Sequence, residues 1–487
     1  MTAKTSSSIA TRTHNWSARA SCVIGDAALK PLSVTTLAKK RDVNAWAGAG
    51  LLVAIIALLL NCVAVARAQD AVPPVTGSAT NYPVSTPAPA MPTQTNATAE
   101  PGMEPVETVG AQPYSPQPRR FQYGLLFRVR GVYDDNINIS QFNPISDYYF
   151  AIEPTVTLGL GDVFEQQENY IRLDYTPSVF LFLDHAEDDA VQHLIRLEGH
   201  HRFRRLDLVL AQNIQILDSA DLVGRTDTTI TGNFANLDVS TRTRVNIFAT
   251  QLKAAYEITG KTSLSTALES TITDYPDFIS SRVISGDLFV NYAYSEKITV
   301  GVGGTAGYDS VDEPDTDQTF EQANLRLSYQ ATGKISFDAS GGVEFRQFEQ
   351  SSRGTYISPV FQIDGTYQPF PATSFSLAVS RRTLNSAVLI GEDFASTTVA
   401  LGARQRFFQR AYLGFNIGYQ NSDYFSTISG FNANRNDNYY FIQPSLDVMI
   451  TRFWSVGGYY LHRQDDSSVD VFSFDNNQIG FRTVLTF

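Results

Sequence analysis

The stretch Ile479-Gly-Phe-Arg-Thr-Val-Leu-Thr-Phe487 has the alternation of a β-strand with one apolar face. Side chains of a strand point to opposite faces in turn, so Phe481, Leu485 and Phe487 share one face while Arg482 lies on the other. The first face suits lipid and the second suits water. A strand that stops on an aromatic residue is unusual in a soluble domain, whose termini are normally solvated. The stretch therefore predicts the last strand of a transmembrane β-barrel.

Composition agrees with a barrel whose wall has an apolar and a polar face. The chain has 487 residues, of which 12% are aromatic and 18% are charged. The charged fraction is below the roughly 25% of ordinary globular proteins. A mean hydropathy of −0.14 excludes a polytopic helical membrane protein. The net charge of −12 argues against a nucleic-acid partner.

The amino-terminal part predicts export from the cytoplasm. An apolar run at 45–65 follows the basic residues 39–41 and precedes Ala66-Arg-Ala68, which is the pattern of a signal peptide cleaved after Ala68. We therefore interpret 1–68 as a signal peptide with an extended N-region. The alternative is a transmembrane anchor, since the run approaches the ~20 residues that span a bilayer.

Residues 69–118 are rich in Pro, Ala and Thr and have almost no periodicity, so we expect a disordered periplasmic linker before a barrel at 119–487. Cys22 and Cys62 both precede the predicted cleavage site. The mature chain would then have no disulfide, zinc-thiolate site or cysteine nucleophile. We expect no cofactor.

From Phe121 onward, alternating segments replace the linker composition. In 121–130, for example, Phe121, Tyr123 and Phe127 alternate with polar or small residues and with arginines. Tight turns, such as 259–261 and 332–334, alternate with longer polar connections, such as 135–147 and 218–243. Short turns at one rim and long loops at the other are typical of transmembrane barrels. The segmentation predicts an all-β, transmembrane antiparallel up-and-down β-barrel of about 18 strands, with both ends of the barrel on the short-turn, periplasmic side.

Four prolines conflict with this segmentation, because a proline has no N–H to donate to a strand ladder. They are Pro154, Pro177, Pro359 and Pro444. We expect them to mark bulges or strand starts near a rim.

Several short motifs, taken in order, resemble a known family. They are Phe127-Arg-Val-Arg-Gly-Val-Tyr-Asp-Asp-Asn-Ile137, Ile152-Glu-Pro154, the Tyr-to-Lys turns at 256–264, 292–300 and 329–337, and the Phe ending. Over 121–487 the chain resembles the beta-barrel porin type 2 family. The resemblance implies an outer-membrane barrel associated with exopolysaccharide export, with polysaccharide and periplasmic polysaccharide-export proteins as partners. The ending also resembles the signal that the barrel-assembly machinery reads, which would make Phe481, Leu485 and Phe487 its recognition residues.

The polar faces of the predicted strands carry charges that would line a lumen. The candidates for solute contact are Arg128, Arg130, Arg172, Asp174, Arg196, Glu198, Arg326, Glu344, Arg404 and Arg482, accompanied by Arg202, Asp338 and Asp447. Charges in a confined aqueous space influence which solutes pass. The alternative is that opposite charges pair along the wall and brace it. The connection at 218–243 is long enough to fold inward as a constriction.

Other conspicuous residues have simpler interpretations. The pairs Tyr148-Tyr149, Tyr439-Tyr440 and Tyr459-Tyr460 predict a membrane-interface girdle, with stacking on sugar rings as the alternative. Asp134-Asp135-Asn136 predicts an Asx turn and not a calcium site, since the EF-hand spacing is absent. His200-His201 should point one ring to each face, which argues against a metal site.

No Gly-x-Ser-x-Gly elbow, phosphate-binding loop or His-Glu-x-x-His motif is present, so we predict no catalytic residues and no enzyme. The principal hypothesis is a porin-like conduit for exopolysaccharide export in the outer membrane of a Gram-negative bacterium, surrounded by lipid. The alternatives are a general small-solute porin, a closed structural or assembly barrel, and a barrel enzyme.

Overall fold

The computed structural model describes residues 121–161, 163, 169–219, 237–349, 351, 353–430 and 432–487. The predicted signal peptide and linker lie outside the described residues. The strands are β1 (Phe121–Asp134), β2 (Asp147–Gly161), β3 (Asn169–Phe182), β4 (Ala190–Phe203), β5 (Leu206–Ser219), β6 (Thr243–Glu257), β7 (Thr262–Asp274), β8 (Ser281–Ser295), β9 (Ile298–Val311), β10 (Gln318–Thr332), β11 (Ile335–Phe348), β12 (Tyr356–Phe370), β13 (Thr373–Asn385), β14 (Glu392–Phe407), β15 (Ala411–Ser426), β16 (Asn436–Met449), β17 (Trp454–Ser467) and β18 (Phe474–Thr486). Short 3₁₀ turns lie at Ala186–Asp188 and Asp470–Phe472.

The strands form one closed antiparallel sheet. Each strand pairs with the next along the chain, and β1 pairs with β18. In this closing seam Phe127 lies opposite Leu485, and Arg130 lies opposite Arg482. The seam continues beyond β18, because the Leu125 N–H donates to the Phe487 carbonyl oxygen at 3.1 Å and the Phe487 N–H donates to the Leu125 carbonyl oxygen at 2.8 Å. The predicted fold, the 18 strands and the pairing of the first strand with the last are confirmed.

The outward face of the wall is apolar. In β18, Ile479 and Phe481 are about 60% exposed, while Arg482 on the other face is buried. Phe121, Tyr123 and other large apolar side chains are exposed in the same alternating manner around the ring. A closed sheet leaves no strand edge unsatisfied, which is what hydrocarbon demands of a spanning structure. The closed 18-stranded barrel fits the outer membrane of a Gram-negative bacterium. Separately, none of the helical turns in the described part of the chain is long and apolar enough to cross a membrane.

The two rims differ as predicted. We call the end with the β1–β2, β3–β4 and subsequent odd-to-even connections the long-loop rim, and the other end the short-turn rim. The longest connection, 220–242, joins β5 to β6 at the long-loop rim, whereas β4 and β5 are joined at the short-turn rim by 204–205 alone. The exception is the β2–β3 connection at 162–168, which is long for the short-turn rim.

Two of the four prolines interrupt the same pair of strands. Residues 153–155 of β2 and 176–178 of β3 do not pair with each other, although both strands pair normally on their other sides. Pro154 and Pro177 lie within this gap, where each lacks the N–H that a ladder needs. The prolines therefore mark interruptions inside continuous strands and not strand starts.

The other two prolines also lie where strand pairing is interrupted, but pairing resumes at only one of them. Pro444 lies where 443–444 of β16 and 460–461 of β17 are unpaired, and pairing resumes beyond this gap. Pro359 lies in β12, on the long-loop side of the rung Phe361–Arg381. This is the last rung between β12 and β13 toward the long-loop rim. Only at Pro359, among these described interruptions, does pairing fail to resume.

Replacing Phe487 with Ala should reduce the amount of folded barrel recovered from membranes, because its 69% exposed ring flanks the closing seam. The heat-modifiable band on gels measures the folded fraction. Phe408→Ala is the matched control, since Phe408 is 95% exposed in a turn between β14 and β15, away from the seam. Equal yields from both variants would contradict an assembly role for Phe487.

Candidate functional site in the barrel lumen

Charges on the inner wall next to the closing seam form tight pairs. Arg130 Nη2 lies 2.6 Å from Glu153 Oε1 on the neighbouring strand β2, and Arg128 Nη1 lies 3.5 Å from Glu153 Oε2. Arg482 Nη2 lies 2.6 Å from Asp447 Oδ2, reaching from β18 past β17 to β16. Each arginine faces away from the exposed apolar residues of its strand. This geometry braces the wall.

A second group of pairs forms along single strands. Arg172 Nε lies 2.7 Å from Asp174 Oδ2 in β3, and Arg196 pairs with Glu198 in β4. Residues two apart in a strand share a face, so each pair lies on one side of the wall. Tyr170 also donates to Glu198. The predicted candidates on β3 and β4 thus come together as one polar cluster on the inner wall.

Arg326 contacts an aromatic ring as well as a carboxylate. Its guanidinium carbon lies 3.4 Å from the centre of the Phe289 ring, and its Nη2 lies 2.9 Å from Asp287 Oδ2. The Phe289 ring lies close to the backbone of β9, since a Cβ at Gly303 would come within 2.6 Å of it. The Arg326 side chain remains 37% exposed. It therefore presents a supported positive charge to the lumen.

Sequence reasoning missed Asp287 and Phe289, which hold this arginine. The available signal was the glycine-rich segment of β9, Gly301-Val-Gly-Gly-Thr-Ala-Gly307, since glycine in a strand often marks a close approach by another group.

Glu344 belongs to a buried network at the long-loop half of the wall. It accepts from Arg346 Nε at 2.9 Å, and Arg346 Nη1 donates to Gln318 Oε1 at 2.8 Å. Gln318 Nε2 in turn donates to Asp393 Oδ1 on β14 at 3.0 Å. Because Gln318 lies on β10, this last bond spans several strands of the ring. Glu344 is buried in this network, with a side chain only 3% exposed.

The remaining candidates lie in the half of the wall nearer the short-turn rim. The Arg404 guanidinium carbon lies 4.4 Å from the Tyr412 ring centre. Arg202 Nη2 lies 3.3 Å from Glu257 Oε1 near the short-turn rim. Asp338 of β11 is opposite Asp364 of β12 in register. Contact of any of these residues with solute stays a prediction.

The long-loop half of the lumen contains an apolar cluster. We call it the seam cluster; its members are Val132, Ile139, Tyr149, Ala151, Leu237, Tyr439, Phe441, Tyr459, Leu461 and Phe474. It corrects the girdle interpretation for one member of each tyrosine pair. Tyr148, Tyr440 and Tyr460 are exposed on the outer face, as a girdle requires, but Tyr149, Tyr439 and Tyr459 are buried inside. Period-2 alternation makes this unavoidable for adjacent residues in a strand.

The β5–β6 connection reaches this cluster. Leu237 is one of its buried members, although β5 and β6 lie far round the ring from β16–β18. The Ser240 hydroxyl donates to the Phe472 carbonyl oxygen at 2.8 Å in the β17–β18 connection. The described part of the connection, 237–242, therefore packs inside the long-loop rim, where a constriction was predicted.

The tip of the β13–β14 hairpin, residues 386–391, also lies inside. Ala387 belongs to a second apolar cluster with Leu217, Val239, Val245, Ile247 and Tyr275. Leu217 is on β5 and Val245 is on β6, whereas β14 is half-way round the ring from β5. We call this set the cross-lumen cluster. The hairpin tip therefore lies inside the barrel, in a cluster that includes side chains of β5 and β6.

Asp238 connects the two inward segments. Its carboxylate accepts from the Ser386 hydroxyl at 2.8 Å, from the Ala387 N–H at 2.5 Å and from the Tyr424 hydroxyl at 3.1 Å. Arg435 Nη1 donates to the Asp238 carbonyl oxygen at 3.0 Å. Burial raises the pKa of Asp238, while the Ala387 N–H and the charge of Arg435 act in the opposite direction. The carboxylate is thus a buried acceptor for donors from two parts of the chain, and the carbonyl oxygen of the same residue accepts from a third.

The tip has further attachments. The Ile279 N–H of the β7–β8 connection donates to the Ala387 carbonyl oxygen at 2.9 Å, and the Thr427 N–H donates to the Gly391 carbonyl oxygen at 2.8 Å. The Gly391 N–H donates to Asp315 Oδ2 at 3.3 Å. Burial raises the pKa of Asp315. Gly391 has a φ of +72°, and a Cβ there would come within 2.9 Å of Ile428, so the turn requires glycine.

The polar motifs considered as metal sites have structural roles. The Asn136 N–H donates to Asp134 Oδ1 at 2.9 Å, which is the predicted Asx turn. His200 lies 2.8 Å from Asp207 through its Nε2, while the His201 ring contacts Phe203. Across the described ranges, no group of three or more His, Cys, Asp or Glu residues is placed to hold a metal ion.

The similarity of the chain to known proteins is distant. No family model and no curated protein matches the chain, so the resemblance to the beta-barrel porin type 2 family rests on the motifs quoted above. Among solved structures, OccK2 (OpdF) of Pseudomonas aeruginosa is 12% identical, with 75% of this chain and 98% of that chain covered and a TM-score of 0.40. OccAB4 of Acinetobacter baumannii is 10% identical, with 77% and 100% covered and a TM-score of 0.41. At this level of similarity the comparison does not bear on the solute, and the closed 18-stranded barrel rests on the strand pairing itself.

Glu153→Gln should lower the free energy of unfolding by about 3 kcal/mol, because the 4% exposed carboxylate pairs with two partly buried arginines that would lose this partner. The temperature at which the folded gel band disappears measures the change. Glu257→Gln is the control, since this carboxylate is 40% exposed in its pair with Arg202 and should matter little. Equal temperatures for the two variants would show that the pairs at the seam do not brace the wall.

Proposed function

We propose that this barrel is an outer-membrane porin for small hydrophilic solutes. The observation that carries the proposal is the inward position of the hairpin tip at 386–391, whose Ala387 shares a buried cluster with Leu217 of β5 and Val245 of β6, about half-way round the ring. This inward segment narrows the path at the long-loop rim. Below it, partly exposed charges such as Arg326 line a polar wall, which suits hydrated solutes.

Small-solute passage is supported better than polysaccharide export. A threading polymer needs a continuous open path, and both Leu237 and Ala387 are buried in clusters that occupy the long-loop half of the lumen. Export was implied only by the family resemblance, and no contact among the described residues favours it. A closed structural barrel would share the filled rim, so solute flux has to separate it from a porin.

Liposomes containing the purified barrel should swell in monosaccharides and more slowly in disaccharides, and should exclude longer oligosaccharides, because the inward segments limit the cross-section. A variant with 386–391 replaced by a short glycine-rich turn should admit larger sugars. Rapid entry of long oligosaccharides into wild-type liposomes would contradict a small-solute porin. Absence of swelling with both proteins would instead support a closed barrel.

Arg326→Ala should shift the reversal potential in a salt gradient toward cation selectivity, because it removes a lumen-exposed positive charge and leaves Asp287 without it. Planar-bilayer recordings measure the shift. Arg452→Ala is the matched control, since Arg452 is exposed in the β16–β17 turn and outside the lumen. Identical reversal potentials for the two variants would show that Arg326 does not influence the ions that pass through the lumen.

A further inference from the structure

The wall between β12 and β13 separates toward the long-loop rim. The last backbone rung between them is Phe361–Arg381. Above it, β12 still pairs with β11 as far as Tyr356, and β13 still pairs with β14 as far as the rung Asn385–Asp393. The hydroxyl groups of Ser358 and Thr383 remain 3.3 Å apart just above the last rung. The two strands therefore diverge above this contact, and each keeps its other neighbour.

Aromatic contacts show which strands face each other above the separation. The Tyr356 ring at the top of β12 stacks on Phe425 near the top of β15, with centroids 4.0 Å apart and planes at 20°. Arg353 lies over both rings, at 5.1 Å and 5.0 Å. In the ring order, β13 and β14 lie between β12 and β15. Direct stacking across them requires that the end of the β13–β14 hairpin has left the wall.

The displaced segment, residues 384–393, is what enters the lumen. We call it the inserted hairpin end. Its outermost turn is held by residues from four connections at the long-loop rim: Asp238, Ile279, Asp315 and Thr427. At its base, the Phe394 ring stacks on Tyr424 at 4.9 Å, and pairing between β14 and β15 continues through Glu392–Ser426. The segment is thus anchored on one edge by β15 and free of β12 on the other.

We propose that the inserted hairpin end is a gate, which narrows the lumen in the closed, inserted arrangement described here and opens it by returning to the wall beside β12. This proposal rests on the proposed porin function and concerns its regulation. Opening breaks the bonds to Asp238 and to the other three connections and parts the Tyr356–Phe425 stack. In exchange, the backbone of 384–385 regains a place beside the top of β12. Pro359 weakens that competing pairing, because it offers no N–H to a neighbouring strand, and so favours the inserted state.

Two chemical features make the movement of the inserted hairpin end between lumen and wall a switch between discrete states. The tip is held by directional hydrogen bonds at several points, which form together or are lost together. The tip also packs Ala387 into the cross-lumen cluster, and an apolar contact of this kind is either made or replaced by water. Loss of one attachment should therefore shift the balance between open and closed pores without changing the wall below the last β12–β13 rung.

A disulfide can test the gate, because the described residues contain no cysteine. In a chain with Cys22 and Cys62 replaced by Ala, the variant Ile279→Cys with Ala387→Cys joins the tip to the β7–β8 connection. The backbone bond of 2.9 Å between these residues places them close enough for a disulfide. The matched control, Ala378→Cys with Ala400→Cys, joins opposed residues of β13 and β14 in the wall below the separation.

We expect the oxidised tip variant to show at least about tenfold lower conductance in planar bilayers than the same protein after reduction, while the control changes little on reduction. Asp238→Ala, which removes two hydrogen bonds to the inserted hairpin end and one to Tyr424 of β15, should raise the open fraction several-fold. Asp470→Ala is its control, since Asp470 is exposed in another connection at the same rim.

The outcomes separate the gate from the porin function. Equal conductance of the oxidised and reduced tip variant overturns the gate and leaves the porin intact. Failure of the folded protein to form this disulfide also overturns it, because the inserted state would then not be populated. If neither redox state nor Asp238→Ala conducts, the porin proposal itself fails and the gate fails with it.

Discussion

In the hydrocarbon of a bilayer, each backbone N–H and C=O group of a spanning segment must be satisfied within the protein. A sheet meets this demand only when it closes on itself, since any open edge would present a row of unsatisfied groups to lipid. Here the demand is met by the rungs between β1 and β18, which extend to the reciprocal bonds between Leu125 and Phe487. Closure then imposes the two-faced wall, because each strand must alternate between lipid and lumen.

The prolines mark the places where backbone pairing in the wall is incomplete. At Pro154, Pro177 and Pro444 the ladder is interrupted and then resumes, so the barrel remains closed around them. At Pro359 the ladder does not resume, and the top of the β13–β14 hairpin leaves the sheet. Its backbone groups find partners among the connections of the long-loop rim, including the carboxylates of Asp238 and Asp315. A local defect in the ladder is thereby converted into an internal element of the lumen.

The inner wall has two zones with different chemistry. Toward the closing seam and along β3 and β4, opposite charges are paired and partly buried, and their main effect is on the rigidity of the wall. Arg326, supported by Phe289, keeps a larger exposed fraction and suits contact with solute. Above both zones the seam cluster and the cross-lumen cluster fill much of the long-loop half. Passage through such a barrel depends on the movable parts at its rim as well as on its charges.

The amino-acid sequence by itself determined the strands, their number, the closing pair, the asymmetry of the rims and the inward placement of the arginines. These follow from period-2 alternation and from connection lengths, which are local properties of the chain. The tertiary structure decided which carboxylate each arginine meets, such as Asp447 for Arg482, and which tyrosines belong to the seam cluster. It also decided that Ala387 joins a buried cluster with residues of β5 and β6, which lie about half-way round the ring. Alternation assigns a side chain to a face of its own strand, but it carries no information on whether that strand stays in the wall, because this depends on contacts between segments far apart in the chain.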